Sequence, residues 1–98
     1  MKIEIKKNAD TTVIEIEGRI DTITAPALEN AINDDIAGTK NLVLNMKGVE
    51  YISSAGLRVL LGAQKKLQKT GSMKLTEVCE EVMKVLEMTG FADIFVIE

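Results

Sequence analysis

Two adjacent hydroxyls, Ser53 and Ser54, are the groups in this chain best placed to do chemistry. They stand in the run Tyr51-Ile52-Ser53-Ser54-Ala55-Gly56-Leu57-Arg58, where an apolar strand pattern gives way to a helical one. The first turn of a helix leaves backbone N–H groups unpaired and carries partial positive charge. A serine oxygen there commonly serves as a cap by accepting one orphan N–H. The alternative is an outward hydroxyl that receives a phosphoryl group, which the same amides and dipole then stabilise. Gly56, without a side chain, would let a second protein approach its backbone closely. Arg58 lies one helical turn past Ser54, where it either pairs with a phosphate or stands solvated. Asp21, in Gly18-Arg19-Ile20-Asp21, falls where a second loop meets this one. It either ends a strand and leads into a helix, or it contacts a partner or a nucleotide.

Much other chemistry is excluded by composition. The 98 residues contain no histidine, so Ser-His-Asp triads, Cys-His dyads, His-ligated metals and His-based pH switches are out of reach within this chain. A lone Cys79 can form neither an internal disulfide nor a CxxC pattern. There is no GxxxxGK[ST] phosphate loop, no GxGxxG fingerprint and no GxSxG elbow, so neither a cofactor nor a metal is expected. A Ser-Lys nucleophile remains formally open, and an enzyme is not the expectation. Asp34-Asp35 and Glu80-Glu81 read as solvated helix faces, and Lys65-Lys66-Leu67-Gln68-Lys69 as a basic helix end complementing its dipole. Met73, Met83, Met88 and Cys79 read as core or core-edge filling.

The net charge of −3 and only one Tyr and two Phe argue against a nucleic-acid surface. No apolar run approaches the roughly 20 residues that span a bilayer. The alternating start Met1-Lys2-Ile3-Glu4-Ile5-Lys6 does not read as a signal peptide, and a cytoplasmic protein is expected.

The elements that must position these groups follow from periodicity. Ile3 and Ile5, then Ile14 and Ile16, alternate with polar residues around Asn8-Ala9-Asp10, predicting an antiparallel hairpin. Gly18-Arg19-Ile20-Asp21 reads as a break. Thr24 as cap, Pro26 in the first turn, and Leu28, Ala31, Ile32 and Ile36 predict a helix closed by Gly38. Asn41–Met46 reads as a central strand covered on both faces, followed by a turn at Lys47-Gly48 and then Val49–Ile52. A helix over 54–69 shows Gly56, Leu60, Ala63 and Leu67 along one stripe, with Lys65, Lys66 and Lys69 on the wetter side. A short strand near 73–75, a helix with Val78, Val82, Val85 and Leu86 inward and Gly90 at its end, and a last strand or tail at 94–97 complete the chain. The order β-β-α-β-α-β-α-β predicts an α/β domain with a mostly parallel sheet and an antiparallel edge.

Gly18-Arg19-Ile20-Asp21, Leu42-Val43-Leu44-Asn45, Leu86-Glu87-Met88-Thr89-Gly90-Phe91 and above all 49–61 fall in the order of a known family. Over essentially the whole chain the sequence resembles the STAS domain family, and within it the bacterial anti-sigma factor antagonists. The resemblance implies one STAS domain over 1–98, a small mixed sheet with helices mainly on one side. It also implies binding to an anti-sigma factor that is itself a serine kinase, which frees a sigma factor. Phosphorylation of a serine at the start of the second long helix ends binding, and a metal-dependent serine phosphatase restores it.

In the family the modified serine stands two positions before a glycine, in a pattern like Asp-Ser-Ser/Thr-Gly. Here that position is Ser54, followed by Ala55. Ser53 replaces the usual Asp and is the second candidate. The expected partner-binding surface comprises Asp21, Tyr51, Ser53, Ala55, Gly56, Leu57 and Arg58, the residues around this serine and the loop that meets it. The runner-up from the same family is an accessory subunit of a phospholipid-transport complex, which would not require Ser54 to be modified.

Overall fold

A computed structural model describes all of residues 1–98. The hairpin forms as expected: β1 (Lys2–Asn8) pairs antiparallel with β2 (Thr11–Ile20), and Ala9 takes a positive φ of 55° in the turn. After α1 (Ala25–Asp35) come β3 (Asn41–Ile52), α2 (Ser54–Gln68), β4 (Ser72–Thr76) and α3 (Glu80–Thr89). A single 3₁₀ turn at Phe91–Asp93 leads to the two-residue β5 (Val96–Ile97). The sheet runs β1-β2-β3-β4-β5, parallel at every pairing except the first. No helix is long and apolar enough to cross a membrane.

All three helices lie on one face. Ile14, Ile16, Leu42, Leu44, Met46 and Leu75 of the sheet form one buried cluster with Leu28 and Ile32 of α1, Leu60 and Leu67 of α2, and Val82 and Leu86 of α3. Burying such side chains is worth about 1.5–3 kcal/mol each, which is what holds a domain of this size together without staples. The opposite sheet face is open. Along β3, Leu42, Leu44 and Met46 are buried while Val43 and Asn45 are only half-covered. Two-sided burial, suggested by the nearly continuous apolar run, therefore does not occur. The helices are too few to cover a second face.

Two expected interruptions are continuous strand. Lys47-Gly48 is not a turn, and Gly18-Arg19-Ile20 is not a break. Against the 10 residues of β2, β3 uses 12, and the excess is absorbed at register shifts between Glu15 and Glu17 and between Glu17 and Arg19. A bulge shifts the side-chain period as a turn does, while the chain keeps its direction. Gly48 permits the close approach: a Cβ there would lie 2.8 Å from Glu17 Cγ and 3.0 Å from Glu17 Cα. Bulges bend and twist a strand, and these carry the end of β3 to the end of β2, with Arg19 opposite Tyr51 and Ile20 opposite Ile52. The Ser53 N–H extends the pairing by donating to Ile20 O at 2.8 Å.

Met88, read as core-edge, is 86% exposed, because it lies on the outer side of α3. Met73 is buried and Met83 half-buried, and the Cys79 thiol donates to Val49 O at 3.3 Å.

Candidate functional site

The two parallel strands β2 and β3 end side by side, so the β2–α1 loop and the start of α2 meet at one rim of the sheet. Ser53 is the N-cap of α2 in extended conformation (φ −95°, ψ 174°), and its Oγ accepts from Gly56 N at 3.4 Å. Its own carbonyl accepts the Leu57 N–H at 2.9 Å. The cap and the candidate modification site are thus separate residues. With the capping role taken by Ser53, Ser54 becomes the first helical residue and stands exposed to solvent. A phosphoryl acceptor must be reachable by another protein, and of the two serines Ser54 has the freer hydroxyl.

Gly56 is buried, and a Cβ there would meet Ile20 Cγ2 at 2.5 Å and Ile52 Cγ1 at 2.8 Å. Its small size seats α2 on the strand ends, so the expectation that it opens the backbone to a partner is corrected. Leu57, at 3% exposure, belongs to the hydrophobic core and anchors the helix from within. Of the residues assigned to the partner surface, Gly56 and Leu57 therefore act from inside. Ala55 is half-buried beside a groove of about 280 Å³ between α1 and α2, which Thr22, Pro26, Glu29 and Arg58 also line. Arg58 is exposed.

On the open sheet face Tyr51 is 41% exposed, and the Arg19 guanidinium stacks over its ring at 4.1 Å from the centroid. Arg19 Nε also lies 3.8 Å from Asp21 Oδ2. Asp21 organises the loop that follows. Its Oδ1 accepts the N–H groups of Ile23 and Thr24, each at 3.0 Å. The Thr24 N–H does most to hold the Asp21 carboxyl below the usual carboxylate range; partial desolvation opposes this, while the Ile23 N–H and the Arg19 charge add to it.

Thr24 caps nothing with its side chain, contrary to expectation. Its hydroxyl donates instead to Arg19 O at 2.7 Å and accepts from Asp21 N at 2.9 Å. The loop is in this way tied to the strand it leaves, and Asp21 begins a hydrogen-bonded turn into α1.

That loop displays an apolar residue absent from the expected surface. Ile23 is 87% exposed, and its backbone is fixed by the bond to Asp21. An isoleucine between two threonines in a loop is the available signal, since nothing in the helical stripe of α1 accounts for it. Arg19 is a second residue outside that expected surface, because its alignment with Tyr51 exists only where Gly18–Ile20 continues the strand.

Elsewhere the surface offers less. A cleft of about 400 Å³ on the open sheet face is walled by Lys2, Glu4, Glu15, Glu17 and Lys47, a mixed-charge lining without a nucleophile.

The model of the STAS domain matches residues 2–98. The chain belongs to the STAS domain family. It is similar to the anti-sigma-B factor antagonist of Bacillus subtilis, with 31% identity over 95 residues, covering 96% of this chain and 87% of that protein. Among solved structures, an anti-sigma factor antagonist from Mycobacterium paratuberculosis superposes with a TM-score of 0.89 at 28% identity, covering 98% of this chain and 83% of that one. The Bacillus cell fate determinant SpoIIAA in its phosphorylated form shares the fold, with a TM-score of 0.76 at 18% identity, covering 99% of this chain and 91% of that one. The five-stranded mixed sheet with three helices is thus the architecture of this STAS domain.

Proposed function

We propose that this STAS domain is an anti-sigma factor antagonist, a non-enzymatic binding module of the cytoplasm whose docking is switched by phosphorylation of Ser54. The observation that carries the reading is the division of labour at the start of α2: Ser53 caps the helix, and Ser54 is exposed at its first position. Similarity to anti-sigma factor antagonists along nearly the whole chain supports the choice of partner. The proposed docking surface combines Ile23, Asp21 and the Arg19–Tyr51 stack with Ser53, Ser54, Ala55 and Arg58. A pre-ordered loop presenting one apolar anchor among polar groups limits the ordering cost of association.

The partner is an anti-sigma factor that is also a serine kinase. Ser54 Oγ attacks the γ-phosphorus of ATP, the new O–P bond forms, and the β–γ bridging P–O bond breaks. ADP departs, and the hydroxyl proton passes to a base on the kinase. The product carries about −1.5 to −2 charge in the middle of a surface that must be desolvated on docking. Every ~1.4 kcal/mol lost weakens binding tenfold, so an unmatched phosphate releases the partner without refolding the domain. The helix dipole favours an anion at this end, so α2 remains folded. A metal-dependent serine phosphatase reverses the step. The accessory-subunit alternative is the weaker reading, and it would not require Ser54 to be modified.

The test is to incubate the protein with its cognate anti-sigma factor and ATP. Peptide mass spectrometry should find one phosphate on Ser54, while Ser54→Ala takes up none and still binds. Ser54→Asp should bind more weakly in calorimetry, though less so than the phosphoprotein, whose charge is larger. Phosphate on Ser53, or unmodified protein that neither binds nor displaces a sigma factor, overturns the reading.

A further inference from the structure

Two guanidinium groups flank the start of α2, and they are in different states. Arg19 is committed: it stacks on Tyr51 at 4.1 Å and lies 3.8 Å from Asp21 Oδ2. Arg58 is exposed and uncommitted, pairing with no carboxylate. Glu29 of α1 lines the same groove but stays beyond ion-pair distance of Arg58. Arg58 shares that groove with Ala55, one turn toward the N-terminus, in keeping with the backward lean of helical side chains. Ser54 and Arg58 are at i and i+4 of one continuous helix, with the site of new negative charge on the N-terminal side, the favourable order for such a pair.

We infer that Arg58 is the switch's internal counter-ion: it receives the phosphate on Ser54 and is thereby withdrawn from the docking surface. The inference rests on Ser54 being the modified residue. In the unmodified protein the Arg58 guanidinium is available to a carboxylate of the anti-sigma factor. After modification it forms a charge-assisted bond to the phosphate within its own helix. Phosphorylation then acts twice, placing an anion at the contact and removing a cation from it. Arg19, already held by Asp21 and Tyr51, keeps its place.

The experiment uses full-length protein with phosphoserine incorporated directly at position 54, so no kinase is required. ³¹P NMR titration reads the second pKa of the phosphate, which pairing with a cation lowers. Arg58→Ala should raise that pKa by about 0.3 relative to the parent phosphoprotein. Arg58→Lys should recover part of the difference, and ~1 M salt should abolish it. Arg19→Ala should leave the pKa in place. In calorimetry against the anti-sigma factor, Arg58→Ala should weaken the unmodified protein, so that the affinity ratio between unmodified and phosphorylated forms shrinks severalfold. An unchanged pKa in Arg58→Ala, or an equal rise in Arg19→Ala, overturns the inference. Neither result touches the separate question of whether a kinase modifies Ser54, which mass spectrometry answers.

Discussion

Ile23 and Asp21 allow binding and folding to be separated at the level of single residues. Ile23 contributes almost nothing to the core, being 87% exposed. Ile23→Ala should therefore leave the melting temperature unchanged while weakening anti-sigma factor binding by roughly 1–2 kcal/mol, the range of an interface anchor, as calorimetry would read. An unaltered affinity would remove Ile23 from the proposed surface.

Asp21 bears on folding as well as on the proposed surface, since it arranges the loop beneath Ile23. Its carboxyl is held below the ordinary range by the Thr24 and Ile23 N–H groups and by Arg19. A depressed carboxyl favours the folded state above its unfolded pKa, near ~3.9, and the contribution disappears as pH falls through the still lower folded value. Asp21→Asn keeps an oxygen for the two amides but loses the charge. The melting-temperature difference between parent and variant should accordingly be largest above pH ~5 and narrow toward pH ~3. A difference independent of pH would mean that charge plays no part in ordering the loop.

Helix α2 contains two glycines whose replacement should act in opposite directions. At Gly62 a Cβ would meet nothing within 4 Å, so Gly62→Ala should stabilise the protein by about 0.5–1 kcal/mol through helix propensity. At Gly56 the same propensity gain is overridden, because the new methyl would strike the branched side chains of Ile20 and Ile52. Overpacking of this kind costs about 1–3 kcal/mol. In a domain of this size each kcal/mol moves the melting temperature by roughly 4–8 °C, so both signs are measurable by calorimetric scan. Gly56→Ala should also impair docking, since lifting α2 off the strand ends moves Ser54 and Arg58 relative to Ile23. Equal shifts for the two variants would contradict the packing assigned to Gly56.

Across the whole molecule, the single buried cluster and the open sheet face make stability and signalling largely independent. Leu44, fully buried at the centre of the sheet, joins helix and strand packing. Leu44→Ala should cost about 2–5 kcal/mol, a large share of the stability such domains possess, as denaturant unfolding would show. The remaining folded fraction should still bind. The switch surface draws on exposed and half-buried groups at one rim, outside the buried cluster, so a phosphate there alters charge without unpacking the core. Far-UV circular dichroism of the phosphoprotein should therefore match that of the unmodified form.

The element order, the hairpin and the three helix stripes were legible because each rests on local periodicity and local turn chemistry. The pair Ser53-Ser54 was legible at the point where the apolar pattern changes period, but the residues alone leave open which serine caps. The choice of Ser54 came from the resemblance, and the capping by Ser53 from the structure. Even the bulges left a trace: buried residues of β3 spaced by two at Leu42, Leu44 and Met46 become spaced by three at Met46, Val49 and Ile52. That trace reads equally well as a turn until a partner strand is present to keep the chain straight. The seating of Gly56 on Ile20, the stacking of Arg19 on Tyr51 and the groove that Arg58 shares with α1 depend on neighbours 29 to 36 residues away in sequence. Which groups are consumed in packing and which remain for a partner is a property of long-range register, and only the folded sheet decides it.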